Sequence, residues 1–305
     1  MKISMKGVLS PVVTAFDAAR RIDTARMQQQ CRWLLDQGVG LALFGTNSEG
    51  NSLSVQERID LLDSLVAAGI PAARMMPGTG ACAVADAVRL SAHCAKLGCG
   101  GVLMLPPFYY KGVSDEGLYR YFASVIEGVG DARLQVYLYH IPPVSQVGIS
   151  LPLIERLLKA YPASIAGLKD SSEDWNNTRA IIDTFSSGGF DVFCGSEVFL
   201  LQTLRQGGAG CISATANVNP AAIQALHAHW QADGAEARQA ALDAVRAVFR
   251  KYPMIPALKF AVSHWSGHPG WATVRPPLVE LTAEQPAGLL ADLQAIGFDM
   301  PGLKA

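Results

Sequence analysis

The chain has 305 residues, half of them hydrophobic and only 17% charged, enough apolar material for one large core and too much for a disordered or fibrous protein. Its formal net charge of −1 is spread along the sequence, so there is no clustered Lys/Arg surface for nucleic acid or an anionic membrane. Neither is expected as a partner.

At the start, "MKISMKGVLSPVVTAF" carries two lysines and a short apolar run, but Pro11 breaks the run and no small-residue cleavage site follows cleanly. No secretory leader is expected. No stretch approaches the roughly 18 consecutive apolar residues of a membrane-spanning helix. Cys31, Cys82, Cys94, Cys99, Cys194 and Cys211 lack CxxC spacing. Reduced, buried thiols in a cytoplasmic protein are expected.

Short β-branched or apolar runs then recur at 7–16, 40–46, 73–79, 100–107, 134–142, 165–170, 190–196 and 210–215. Helical periods fill the gaps. In "SVQERIDLLDSLVAAG" (54–69), Ile59, Leu62, Leu65 and Val66 fall on one stripe, with Ser54 placed to cap the helix and Glu57 to complete a capping box. "DAVRLSAHCAKLG" (86–98) closes on Gly98, the residue type that ends helices in the left-handed conformation.

Strands apolar on both faces and alternating with helices imply a parallel sheet covered by helices, because parallel strands need crossover connections. Eight such units in about 225 residues predict an α/β fold of the (β/α)8 TIM-barrel type. The rival is an open doubly wound sheet, but no GxGxxG opens a helix after the first strand. Beyond about residue 230 the text turns helical, at 235–252, 255–265 and 282–297. A barrel catalytic domain over 1–230 and a C-terminal helical region over 231–305, packed on the barrel or on another subunit, are predicted.

Function in a barrel concentrates at the C-terminal ends of strands. Those ends carry Thr46, Asn47, Ser48 and Glu49; Gly78, Thr79 and Gly80; Tyr109 and Tyr110; Tyr139; Lys169; Gly195 and Ser196; and Ser213. Lys169 is the most informative, since "IAGLKD" points a lysine into a packed barrel. Burying an ammonium costs several kcal/mol unless it is paired or neutral, and a neutral amine is a nucleophile. The alternative is a strand-end lysine bridging to Asp170 or Glu49. A phenol such as Tyr139 beside an imine-forming lysine can shuttle protons, although a core aromatic is the plainer reading. "GTNSEG" (45–50) offers hydroxyl, amide and backbone donors for a carboxylate, or is an ordinary helix entry. His227 with His229, and His264 with His268, lack the Cys or carboxylate partners of a zinc site. No metal is expected.

Five segments in order, "GTNSEG..LS..ER", "LPPFYY", "YLYHIPP", "GLKDSS" and "GGAGCISATANVNP", resemble the signatures of the dihydrodipicolinate synthase / N-acetylneuraminate lyase family, over about residues 6–226. The resemblance implies a pyruvate-handling class I aldolase or lyase on a TIM barrel, a homo-oligomer, tetramer or dimer, needing no metal or organic cofactor beyond the covalent lysine imine. It implies that Lys169 forms the Schiff base, that Tyr139 and Thr46 relay protons, and that Asn47 holds the pyruvate carboxylate. Tyr109 matches a tyrosine that reaches a neighbouring subunit's site in the synthase branch. Ile212 matches the position whose carbonyl lies near pyruvate, and Gly195 the glycine of the seventh-strand turn.

Two segments depart from the synthase pattern, one of them the turn "GTNSEG", with Asn47 and Ser48 where that branch has Thr and Gly. Where that branch carries Tyr-Asn-x-Pro-Ser-Arg-Thr-Gly, this chain runs from Tyr139 and His140 through Pro142-Pro143 to Gln146 and Gly148, with no arginine and two extra residues. A neutral Gln cannot replace a bidentate guanidinium. Ser48, His140, Asp170, Ser171 and Ser172 instead suit a polyhydroxylated aldehyde end, although Ser171 and Ser172 fit equally as caps of the next helix. The expected activity is pyruvate release from, or condensation into, a 2-keto-3-deoxy sugar acid or 4-hydroxy-2-keto acid. Alternatives are a dehydratase or deaminase using the same imine, a true dihydrodipicolinate synthase, and a non-catalytic keto-acid-binding protein.

Overall fold

A computed structural model describes residues 5–303. Seven parallel strands are present: β1 (Gly7–Ser10), β2 (Gly40–Leu41), β3 (Val102–Met104), β4 (Val136–His140), β5 (Ile165–Asp170), β6 (Asp191–Cys194) and β7 (Gly210–Ile212). Their order in the sheet is β2-β1-β7-β6-β5-β4-β3. The helices are α1 (Thr24–Asp36), α2 (Val55–Ala67), α3 (Val84–Leu97), α4 (Asp115–Val129), α5 (Pro142–Ser145), α6 (Leu151–Ala160), α7 (Trp175–Phe185), α8 (Leu200–Arg205), α9 (Pro220–Ala228), α10 (Ala235–Phe249), α11 (Met254–Ser266) and α12 (Gln285–Ala295). No helix among the described residues is long and apolar enough to cross a membrane.

Seven of the eight expected runs become strands, and the exception has a physical cause. At 73–79, Pro77 has no N–H to donate to a ladder. That run instead meets β3 through a single parallel bridge between Gly78 and Leu103. There Leu103 N–H donates to Pro77 O at 2.8 Å and Thr79 N–H to Leu103 O at 3.0 Å.

The described residues divide into two compact units, one made of those up to Gly7 with Pro71–Cys211, the other of Val8–Ile70 with those from Ile212 to Leu303. In the first, β3 to β6 build a core around Tyr137, which is fully buried. Its ring fits because the neighbouring strands carry glycine. A Cβ on Gly101 would lie 2.6 Å from the ring, and one on Gly167 would lie 2.7 Å from the ring and 2.2 Å from Asp191 O. The Tyr137 hydroxyl donates to Asp191 Oδ2 at 3.1 Å and accepts from Met5 N–H at 3.0 Å. Burial, with the Asp191 carboxylate beside it, pushes this phenol far above its usual range.

In the second unit α2 starts as its sequence predicts, with Ser54 and Glu57 forming the complete capping box. Gly98, in the first unit, likewise closes α3 at φ 78°. The expected helical tail is present as α10, α11 and α12. Of the cysteines, Cys31, Cys94, Cys194 and Cys211 are buried while Cys82 is exposed, so the expected burial does not extend to every thiol. Burial pushes Cys31 up to about 12.

Candidate active site

Strands β4 and β5 pair in a register that sets Tyr139 opposite Lys169 and His140 opposite Asp170. Side chains alternate along a strand, so Tyr139 shares a face with Tyr137, and His140 turns to the other side. Lys169 and Tyr139 are 2% and 4% exposed. The lysine Nζ donates to the Tyr139 hydroxyl at 3.3 Å and stands 4.3 Å from the centre of its ring. A primary amine and a phenol in contact, both out of water, can add to a carbonyl and move the proton that the addition releases.

The two carboxylates that the sequence offered as partners for Lys169 are occupied elsewhere. Asp170 accepts from Ser172 N–H at 2.9 Å, Ser172 Oγ at 3.1 Å, Asn177 Nδ2 at 3.0 Å and Thr178 Oγ1 at 2.6 Å. It therefore ties β5 to the start of α7. Glu49 is taken by Lys259. Capping of α7 falls to Asp174, which accepts from Asn176 N–H at 2.9 Å, and not to Ser171 or Ser172.

Ser171 is half-buried, with its N–H donating to His140 O at 2.7 Å. Gly195 N–H donates to Asp170 O at 2.6 Å. A Cβ on Gly195 would lie 2.0 Å from Ser171 Oγ, so this turn admits no side chain while Ser171 keeps its position. His140 uses Nδ1 to accept from Ile149 N–H at 2.9 Å. Burial lowers its pKa, outweighing the nearby Asp170 carboxylate. His140 thus orders the segment that returns from Ile141 to Ile149.

That segment begins with the short helix α5, whose prolines occupy its first positions, where a missing N–H costs nothing. Gln146 ends it in the left-handed conformation at φ 54° and is exposed. Lys111 bridges two loops, donating from Nζ to Ser145 O at 2.8 Å and also to Phe108 O. Between them, Tyr109 and Tyr110 meet edge to face with ring centres 5.3 Å apart and are 73% and 72% exposed. Tyr109 is placed at the surface of this chain and not in the buried pair.

In the second unit the turn after β2 carries two non-glycine residues at positive φ, Phe44 at 60° and Glu49 at 54°, an uncommon conformation for such residues. Gly50 closes it, since a Cβ there would lie 2.0 Å from Phe44 O. Thr46 and Asn47 are half-buried. Ser48 is fully buried, its carbonyl accepts from Thr14 Oγ1 at 2.6 Å, and its hydroxyl has no partner among the described residues. Ile212, also fully buried, ends β7.

Sequence reasoning missed Lys259, whose Nζ donates to Glu49 Oε1 at 2.6 Å with neither side chain exposed. The signal was there, a lone lysine in "IPALKFAV", where an apolar helix face has no use for one. No group of three or more His, Cys, Asp or Glu able to hold a metal occurs among the described residues.

Residues 4–296 match the model of the dihydrodipicolinate synthetase family. An uncharacterized DapA-like lyase of Chloroflexus aurantiacus is 35% identical over 295 residues, 95% of this chain and 97% of that protein. A probable 2-dehydro-3-deoxy-D-pentonate aldolase of Escherichia coli, YjhH, is 27% identical over 91% of this chain and 93% of its own length. Among solved structures, YagE of Escherichia coli, a member of the dihydrodipicolinic acid synthase family in complex with pyruvate, superposes with a TM-score of 0.87 at 28% identity. That match covers 96% of this chain and 99% of that one. The expected barrel fold is borne out, and the chain belongs to the dihydrodipicolinate synthetase family as a lyase on a (β/α)8 barrel with C-terminal helices.

Proposed function

We propose that the protein is a Schiff-base-forming aldolase acting on a 2-keto-3-deoxy sugar acid or a 4-hydroxy-2-keto acid, releasing pyruvate from it or condensing pyruvate with an aldehyde. The observation that carries this is the buried contact between Lys169 Nζ and the Tyr139 hydroxyl at 3.3 Å. Support comes from the aldolase named among its relatives and from the pyruvate complex of a structural neighbour.

The amine of Lys169 adds to the C2 carbonyl, and the carbinolamine loses water to give an iminium. The C3–C4 bonding pair then flows into that iminium, leaving an enamine on pyruvate and an aldehyde, as the C4 hydroxyl proton passes through the Tyr139 hydroxyl, with Thr46 assigned to the same proton transfer. Protonation at C3 and hydrolysis return pyruvate and the lysine. The imine is itself the electron sink, so the reaction calls for no metal or organic cofactor.

Asn47 and the hydroxyl of Ser48 are assigned to holding the carboxylate, and Ile212 and Gly195 to substrate binding. Ser171 is assigned to the aldehyde end. His140, on the opposite face of β4, is assigned to ordering the loop that borders that end. Exposed Tyr109 is assigned to a neighbouring subunit of a cytoplasmic homotetramer, and residues 231–305 to a helical extension of the barrel domain 1–230.

The exposed Gln146 supplies no cation for a second carboxylate, which disfavours the lysine-pathway synthase. A panel of 2-keto acids assayed for pyruvate and aldehyde tests the reading. Stoichiometric release of both from a hydroxylated keto acid is expected. Pyruvate-dependent cyclisation of aspartate semialdehyde, with no release from any panel member, would contradict it.

A further inference from the structure

Lys259 is a second fully buried lysine, and the chemistry proposed above has no use for it. It lies on α11, its Nζ bonded to Glu49 Oε1 at 2.6 Å and 4.3 Å from the centre of the Phe16 ring. Burial draws its pKa down to about 8. Glu49 and Glu280 favour the charged form, and Arg275 opposes it. The other Glu49 oxygen accepts from Arg275 N–H at 2.8 Å. The Arg275 side chain spans the same region, donating to Ser52 O at 2.9 Å, Glu57 Oε1 at 2.6 Å and Arg20 O at 2.9 Å.

Both ends of the Glu49 carboxylate are therefore gripped from the C-terminal part of the chain. Its own backbone is the hinge of the turn, with Glu49 N–H donating to Thr46 O at 3.1 Å and Ser52 N–H donating to Glu49 O at 2.8 Å. A non-glycine residue keeps φ 54° only where its surroundings over-determine it. Packing alone does not call for an ion pair here, since apolar side chains fill such space at no loss.

We propose that Lys259, with the Arg275 backbone, is a positioning residue that anchors Glu49 and thereby sets the Thr46–Asn47–Ser48 turn that receives the pyruvate carboxylate. This rests on the functional reading above and deepens it, because it makes the C-terminal helices part of the substrate-binding apparatus. Exchange at Lys259 loosens pyruvate while leaving the amine of Lys169 able to react once pyruvate is bound.

The test measures borohydride trapping of pyruvate on Lys169 against pyruvate concentration, together with thermal unfolding, in the unaltered protein, K259M, E49Q and the double variant K259M/E49Q. K259M alone leaves a buried carboxylate without its cation and loses stability. The double variant removes both charges and restores melting. Its half-saturating pyruvate nonetheless stays raised on the order of 10²-fold, the scale of a displaced positioning group, with full trapping at saturation. E49Q keeps an acceptor toward Arg275 N–H and shifts half-saturation the same way, should the double variant fail to fold. No trapping in the unaltered protein overturns the functional reading, and this inference with it. Trapping in the unaltered protein with unchanged half-saturation in the folded variants overturns this inference alone.

Discussion

Lys169→Met lowers turnover by roughly 10⁶-fold, the scale found when a covalent nucleophile is removed, and leaves the fold intact. Methionine is unbranched and apolar, and it fills the buried space that the lysine stem now occupies, at a residue that is 2% exposed. Asp170 is held by four other donors, and among the described residues the substitution removes no ion pair. It also relieves the cost of a buried amine. The melting temperature therefore holds or rises while pyruvate release vanishes. Tyr139→Phe gives the graded counterpart, a loss of about 10²–10⁴-fold, because iminium chemistry continues without the phenol but its protons move more slowly. Equal losses of activity and stability in K169M would assign the lysine to the core instead.

Gly167→Ala destabilises the protein by about 3 kcal/mol, the upper range for overpacking. The added methyl would sit 2.2 Å from Asp191 O, a backbone atom of the adjacent strand, and 2.7 Å from the Tyr137 ring. Neither neighbour can yield. Asp191 O belongs to the ladder between β5 and β6, and Tyr137 is pinned by Asp191 and Met5. Because Gly167 and Tyr137 lie two residues before Lys169 and Tyr139 on the same strands, strain here disturbs the Lys169–Tyr139 contact as well. Urea unfolding reads the effect directly as a lowered midpoint with an unchanged slope. An unchanged midpoint would show that the strands separate freely at this point.

The sequence displayed most of this because the fold repeats one rule, an apolar strand followed by a helix. Polar residues at the ends of such strands stand out against a hydrophobic run. Lys169 was visible for that reason, and its pairing with Tyr139 follows from a register that adjacent parallel strands impose. The Ser54–Glu57 box and the Gly98 cap are local features, set by residues within three or four positions, and both formed as their spacing predicts.

What could not be read depended on partners distant in sequence. Glu49 and Lys259 lie 210 positions apart, and no periodicity links them. Like Lys169, Lys259 in "IPALKFAV" is a lysine set among apolar residues, but it lies in the helical tail and not at the end of a strand. The alternation that places Tyr139 beside Lys169 also turns His140 away, which a list of polar residues near a strand end does not reveal. Pro77 removed a regular strand from a run whose apolar content alone suggested one.

The proposed chemistry turns on one covalent bond. Protein incubated with pyruvate, reduced with borohydride, digested and examined by mass spectrometry should carry a single three-carbon adduct on Lys169, and none when pyruvate is omitted. An unmodified Lys169, or an adduct on Lys259 in its place, would contradict it.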